Sequence, residues 1–109
     1  MPPNLDWNEM SENETQKSIS EWAQNTFGPV ICPTVLVDRA TVELAELSEA
    51  VRSNNTVEIG KETADVVILL HRLLELNGLD MHQEISSKMA ENRARRWNPK
   101  GDGTGSHIK

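Results

Sequence analysis

Along most of its length the chain repeats apolar residues every three or four positions, the spacing that lays a single stripe down one side of an α-helix. Four helices are predicted. The first runs from about Ser11 to Phe27 and stops at the breaker pair Gly28-Pro29; VICPTV then forms an extended crossing segment closed by Pro33. The second starts between Val35 and Asp38 and ends at the loop Ser53-Asn54-Asn55. Thr56 is placed to cap a third helix that reaches Asn77-Gly78, a left-handed C-terminal stop. Asp80 and Gln83 have capping-box spacing and open a fourth helix over about Met81 to Trp97. The expected architecture is all-α: a four-helix domain over residues 1–97 followed by a flexible tail at 98–109. That tail, NPKGDGTGSHIK, is too rich in glycine to order without a ligand, although Lys100, His107 and Lys109 could close over an anion.

The third helix contains ADVVILLHRLLEL, which is apolar on nearly every side, and one neighbouring helix cannot shield such a surface. Burial against another subunit is therefore expected, so the bundle should be completed by homo-oligomerisation into a dimer or tetramer. Composition agrees, because only 37% of the 109 residues are apolar and 4% aromatic, a thin supply for a monomeric core.

Charge narrows the possible partners. With 17 acidic against 11 basic side chains the net charge is −6, which disfavours nucleic acid and anionic membrane surfaces. No apolar run approaches the roughly 20 residues that span a bilayer, and MPPNLDWNEM is polar where a signal peptide would be basic and then greasy. Cys32 is the one cysteine, so no internal disulfide forms and a reducing compartment, the cytoplasm, is expected.

Candidate chemistry lies in the carboxylates. On helix three, Glu62 falls on the same line as Val66, Leu69 and Leu73, with Asp65 to one side of it. On helix two, Ala40, Leu44, Leu47 and Val51 form the apolar stripe, and Glu43 and Glu46 flank it one turn apart. If the two helices pack antiparallel across their short connection, Glu43, Glu46, Glu62 and Asp65 converge. Such a nest repels itself unless cations occupy it, and a hard cation with oxygen ligands, Mg²⁺ or Mn²⁺, suits it and leaves room for substrate phosphates. Each pair alone also suits a solvated helix face. Helix four adds Lys88, Asn92 and Arg95 on one face, either to hold phosphate oxygens or to complement the negative end of that helix.

Taken together these blocks resemble the MazG-like all-α nucleoside triphosphate pyrophosphohydrolase family, whose signature is E-x-x-E, then E-x-x-D, then K-x-x-x-N-x-x-R. Here they read Glu43 to Glu46, Glu62 to Asp65, and Lys88, Asn92 and Arg95, with residues 47–61 between the first two, and the resemblance covers roughly residues 35–97. The segment EWAQNTFGP, Glu21 to Pro29, is similar to a phage-associated branch of purine deoxynucleotide diphosphohydrolases. The resemblance implies an oligomeric helical bundle that binds Mg²⁺ (Mn²⁺ possible) through the four carboxylates. It further implies cleavage of a nucleoside triphosphate, a purine dNTP such as dGTP or dATP, to the monophosphate and pyrophosphate. For a phage-encoded chain the compartment is the host cytoplasm. Glu46 or Glu49 would serve as the general base, with Lys88, Asn92 and Arg95 on the phosphates. Trp22 and Phe27 either stack on the base, beside the amide of Asn25, or belong to the core. His71 reads as a core or interface histidine, His82 and His107 as exposed, and Trp97 as packed. The competing reading is a non-catalytic dimerisation or nucleotide-sensing module.

Overall fold

The computed structural model describes residues 14–109, so the expected start of the first helix at Ser11 and the N-terminal decapeptide lie outside the described residues. Within it are four helices, α1 (Gln16–Phe27), α2 (Thr34–Arg52), α3 (Thr56–Leu76) and α4 (Met81–Ala94), followed by two short strands, β1 (Trp97–Pro99) and β2 (Gly105–His107).

Helix α1 opens on a reciprocal cap. The Thr15 hydroxyl accepts from the Ser18 amide at 3.0 Å, and the Ser18 hydroxyl accepts from the Thr15 amide at 2.7 Å. The Gln16 side chain pins this end to the far end of the bundle: its amide nitrogen donates to the Leu79 carbonyl, and its oxygen accepts from the Met81 amide at 2.9 Å. Helix α3 is capped by Asn55, whose side chain accepts from the Glu58 amide, while Thr56 is its first helical residue; the cap expected at Thr56 sits one residue earlier. Asp80 caps α4 through the Gln83 amide, as its spacing predicts.

The main packing is the antiparallel pair α2 and α3, with α1 laid against α3. Two stops of the same kind make this compact. After α2, Asn54 takes φ 54° and the Asn55 amide reaches back to the Ala50 carbonyl; after α3, Gly78 takes φ 68° and the Leu79 amide reaches Leu74. The buried line of α2 is Leu36, Ala40, Glu43 and Ala50, with Leu47 half-buried between them. This corrects the expected stripe, for Leu44 and Val51 face outward, about half exposed, and Glu43 lies within the core line rather than beside it. On α3, Val66 is buried and Glu62, Leu69 and Leu73 are half-buried, the line read from the sequence. No helix among the described residues is long and apolar enough to cross a membrane.

The C-terminus differs from expectation. Helix α4 ends at Ala94, short of Trp97, and the predicted mobile tail is a β-hairpin pairing Trp97 with His107. Three local features hold it. Asp102 accepts from both the amide and the hydroxyl of Thr104, which keeps its carboxyl below the usual range, and the Trp97 indole packs on His107 while donating to the Asn92 carbonyl at 2.8 Å. Gly105 completes the pairing, since a Cβ there would stand 2.8 Å from the Asn98 carbonyl oxygen.

Candidate functional site

The antiparallel α2–α3 pair brings both carboxylate motifs to one place. One oxygen each from Glu43, Glu62 and Asp65 lies within 4.8 Å of the others. Glu43 is buried, with its carboxylate 3.2 Å from the Arg39 guanidinium one turn earlier. Glu62 is half-buried, and its Oε1 is shut off from solvent with no hydrogen-bond partner among the described residues. Its carboxyl is held above the ordinary carboxylate range, first by desolvation, then by the hydrogen bond shared with Glu43, then by the charges of Glu46, Glu43 and Asp65. An orphaned carboxylate oxygen among like charges fits a divalent cation, which would satisfy it and cancel the repulsion.

Glu46, the fourth carboxylate of the expected nest, stands on the other side of Glu62. It lines a notch of about 260 Å³ with Glu49, Glu58 and Glu62. Its own side chain has no cationic partner among the described residues, whereas Glu49 is exposed, 3.8 Å from Arg52 and 3.5 Å from the Ser53 hydroxyl. Glu58 was not anticipated, although its place one turn before Glu62 carries the signal.

On its other side the cluster opens into a cleft of about 990 Å³. Glu43 and Asp65 form one end; Trp22, Phe27 and the crossing segment after α1 form the other. The two rings meet edge to face with centroids 5.5 Å apart, and both are more than half exposed, which leaves them available for stacking. Asn25 does not border this cleft and faces a separate polar notch with Lys17 and Glu21, a correction to its expected place beside the rings. Arg39 and Arg72 do line the cleft, and neither was anticipated; Arg72 lies two turns beyond Asp65 on the same face of α3, which is its signal.

Within one chain α4 does not reach the cleft. It buries no residue, and Lys88 and Arg95 both pair with Glu91, the first at 3.5 Å. Asn92 makes one weak contact to Met89 through its amide nitrogen, and its side-chain oxygen is buried without a partner. His71 is half-buried and outside the carboxylate cluster.

No family model matches the chain. A protein of Cyanophage S-2L named dATP/dGTP diphosphohydrolase is 33% identical over 95 residues, which span 87% of this chain and 86% of that protein. The solved Cyanophage S-2L MazG-like pyrophosphohydrolase, bound to dGDP and three catalytic Mn²⁺ ions per active site, superposes with a TM-score of 0.69 at 32% identity, covering 86% of this chain and 89% of its own. The chain belongs to the MazG-like pyrophosphohydrolase family. A Salmonella phage PMBT28 protein, also named dATP/dGTP diphosphohydrolase, is 37% identical over 87% of this chain, but the match spans only 31% of that longer protein.

A pH dependence follows from Glu62. Its folded pKa is raised, so the proton it holds stabilises the metal-free fold, and that contribution is lost as pH climbs above the ordinary Glu value of about 4.3 through the raised one. Metal-free melting temperature should therefore rise on mild acidification, while the stabilisation gained from Mn²⁺ should shrink over the same window because proton and cation compete. Thermal melts across that window, with and without Mn²⁺, check both slopes. Glu62→Gln should flatten the metal-free one, and an unchanged slope in that variant would contradict the assignment.

Proposed function

We propose that the chain is a divalent-cation-dependent pyrophosphohydrolase of purine deoxynucleoside triphosphates, releasing the monophosphate and pyrophosphate. One observation carries this: a single cleft joins an exposed aromatic pair, Trp22 and Phe27, to the carboxylates of Glu43 and Asp65. A base stacked at the first end sets its phosphates toward the second. The names of the phage relatives and the dGDP and Mn²⁺ of the solved neighbour support the same reading.

Glu43, Glu62 and Asp65 would hold Mg²⁺ or Mn²⁺, with Glu46 contributing across Glu62. The cation supplies neutralisation of phosphate charge and a more acidic water. Arg39 holds the Glu43 carboxylate by a hydrogen bond at 3.2 Å. Glu46, acting on Glu62 and without a cation of its own among the described residues, is better placed than Glu49 to take the proton of water as it adds to the α-phosphorus. The α–β anhydride bond breaks and pyrophosphate leaves.

Incubating the protein with each common dNTP and Mg²⁺ or Mn²⁺, and resolving the products by ³¹P NMR, tests the reading. Monophosphate and pyrophosphate are expected, with dCTP and dTTP at least about tenfold poorer in kcat/KM, or about 1.4 kcal/mol in transition-state binding. Release of orthophosphate, or equal use of pyrimidines, would overturn the bond cleaved or the base preference respectively.

The reading includes a homo-oligomer working in the host cytoplasm. Val37, Leu44 and Val51 recur every seven residues on the outer side of α2, each about half exposed, and among the described residues the buried apolar ones are few and mostly small. Association is also what would carry Lys88, Asn92 and Arg95 to a cleft, since their own helix does not border it. Sedimentation at micromolar concentration should show a dimer or tetramer, and Leu44→Glu should dissociate it. A compact monomer would overturn the oligomer.

A further inference from the structure

Arg72 is the cation at the aromatic end of the cleft. It is half-buried, and its guanidinium carbon sits 5.9 Å from the centroid of the Phe27 ring. The other arginine of the cleft, Arg39, is occupied by Glu43. Arg72 makes neither a hydrogen bond nor an ion pair among the described residues; even Glu75, one turn away, takes its hydrogen bond from Gln16 instead. Five N–H donors therefore stand partly desolvated over an aromatic ring without an acceptor.

Geometry says what kind of acceptor fits. Trp22 and Phe27 are at 86° to one another, so the normal to the Phe27 ring lies nearly within the plane of the Trp22 ring. A base held at this aromatic end of the cleft lies beside the Arg72 guanidinium, which lines the same cleft and stands over Phe27. Along α3, Arg72 follows Asp65 by two turns, about 10 Å of rise, which separates it from the carboxylates that would face the phosphates. At a purine edge, guanine offers two acceptors, O6 and N7, whereas adenine offers N7 beside the N6 donor, and a guanidinium has only donors.

We infer that Arg72 is a specificity-determining residue that reads the O6/N7 edge of guanine in the base-binding end of this cleft, setting dGTP ahead of dATP. This rests on the proposed function, and the test separates the two. Wild type, Arg72→Met and Arg72→Lys are compared for kcat/KM on dGTP, dITP and dATP, and for equilibrium binding of dGDP and dADP by calorimetry, with far-UV circular dichroism confirming the fold. A bidentate pair accounts for about 1–3 kcal/mol of discrimination, so Arg72→Met should lose roughly 10- to 100-fold on dGTP and dITP and no more than about threefold on dATP. Arg72→Lys, which keeps charge and stem but not the fork, should fall between. Equal losses on all three nucleotides would make Arg72 a phosphate or packing residue and overturn the inference, as would unchanged preference. Should wild type bind dGDP over dADP and lose that preference in Arg72→Met without turning over any triphosphate, the base-reading role would stand and the hydrolase reading would fall.

Discussion

Replacing Asp65 with Ala is expected to cut turnover by about a thousandfold or more while the helices stay intact, a loss of about 4 kcal/mol in transition-state stabilisation. Asp65 is exposed yet supplies one of the three oxygens that come within 4.8 Å, so its removal leaves no cavity and takes away one member of a repelling set. The metal-free melting temperature should hold level or rise. Leu36→Ala is the contrasting control: Leu36 is only 3% exposed, and its truncation should cost about 2–5 kcal/mol of stability with the carboxylates untouched. Steady-state kinetics and circular dichroism melts on the two variants separate site from scaffold. Near-normal turnover by Asp65→Ala would remove the carboxylate cluster from the mechanism.

Chelation is expected to abolish turnover altogether and to lower the melting temperature of the loaded protein. Glu62 Oε1 has no hydrogen-bond partner and Glu43 has Arg39 as its one cationic partner among the described residues, so a bound cation would offset the repulsion within the site. A ligand at a hundred times its Kd stabilises by about 2.7 kcal/mol, which in a domain near this size corresponds to roughly 10 °C or more. Excess EDTA followed by Mn²⁺ should move both readouts down and back. Turnover that persists in chelator would overturn the cation requirement.

Helix three was legible because Val66, Leu69 and Leu73 mark its inner face at helical spacing and Glu62 sits in register with them. Helix two was harder. Its true inner line runs through Leu36, Ala40, Glu43 and Ala50, and a stripe holding two alanines and a glutamate is fainter than the outward run of Leu44 and Val51 beside it. A carboxylate on the inner line interrupts the apolar period and so displaces the inferred stripe. The hairpin was invisible for another reason: it rests on one non-local pairing, Trp97 with His107, and on side-chain bonds within a turn, neither of which leaves an apolar period. Conversely, Lys88, Asn92 and Arg95 were easy to see as a motif and hard to place, because spacing fixes a face and not the helix it meets.

The turn at residues 53–55 has a kinetic meaning. Asn54 in the left-handed region and Asn55 as the next cap let α2 fold back onto α3 at once, so a single short loop separates the pair Glu43 and Glu46 from the pair Glu62 and Asp65. Closing a loop of that size forfeits little chain entropy and takes well under a microsecond, so contact order within this helical hairpin is low for a tertiary site. The carboxylate cluster is thus built from contacts local in sequence, whereas the aromatic wall from α1 depends on more distant ones. A hairpin so local in sequence is also what gene duplication or recombination can move intact, keeping its four carboxylates together while the surrounding helices change.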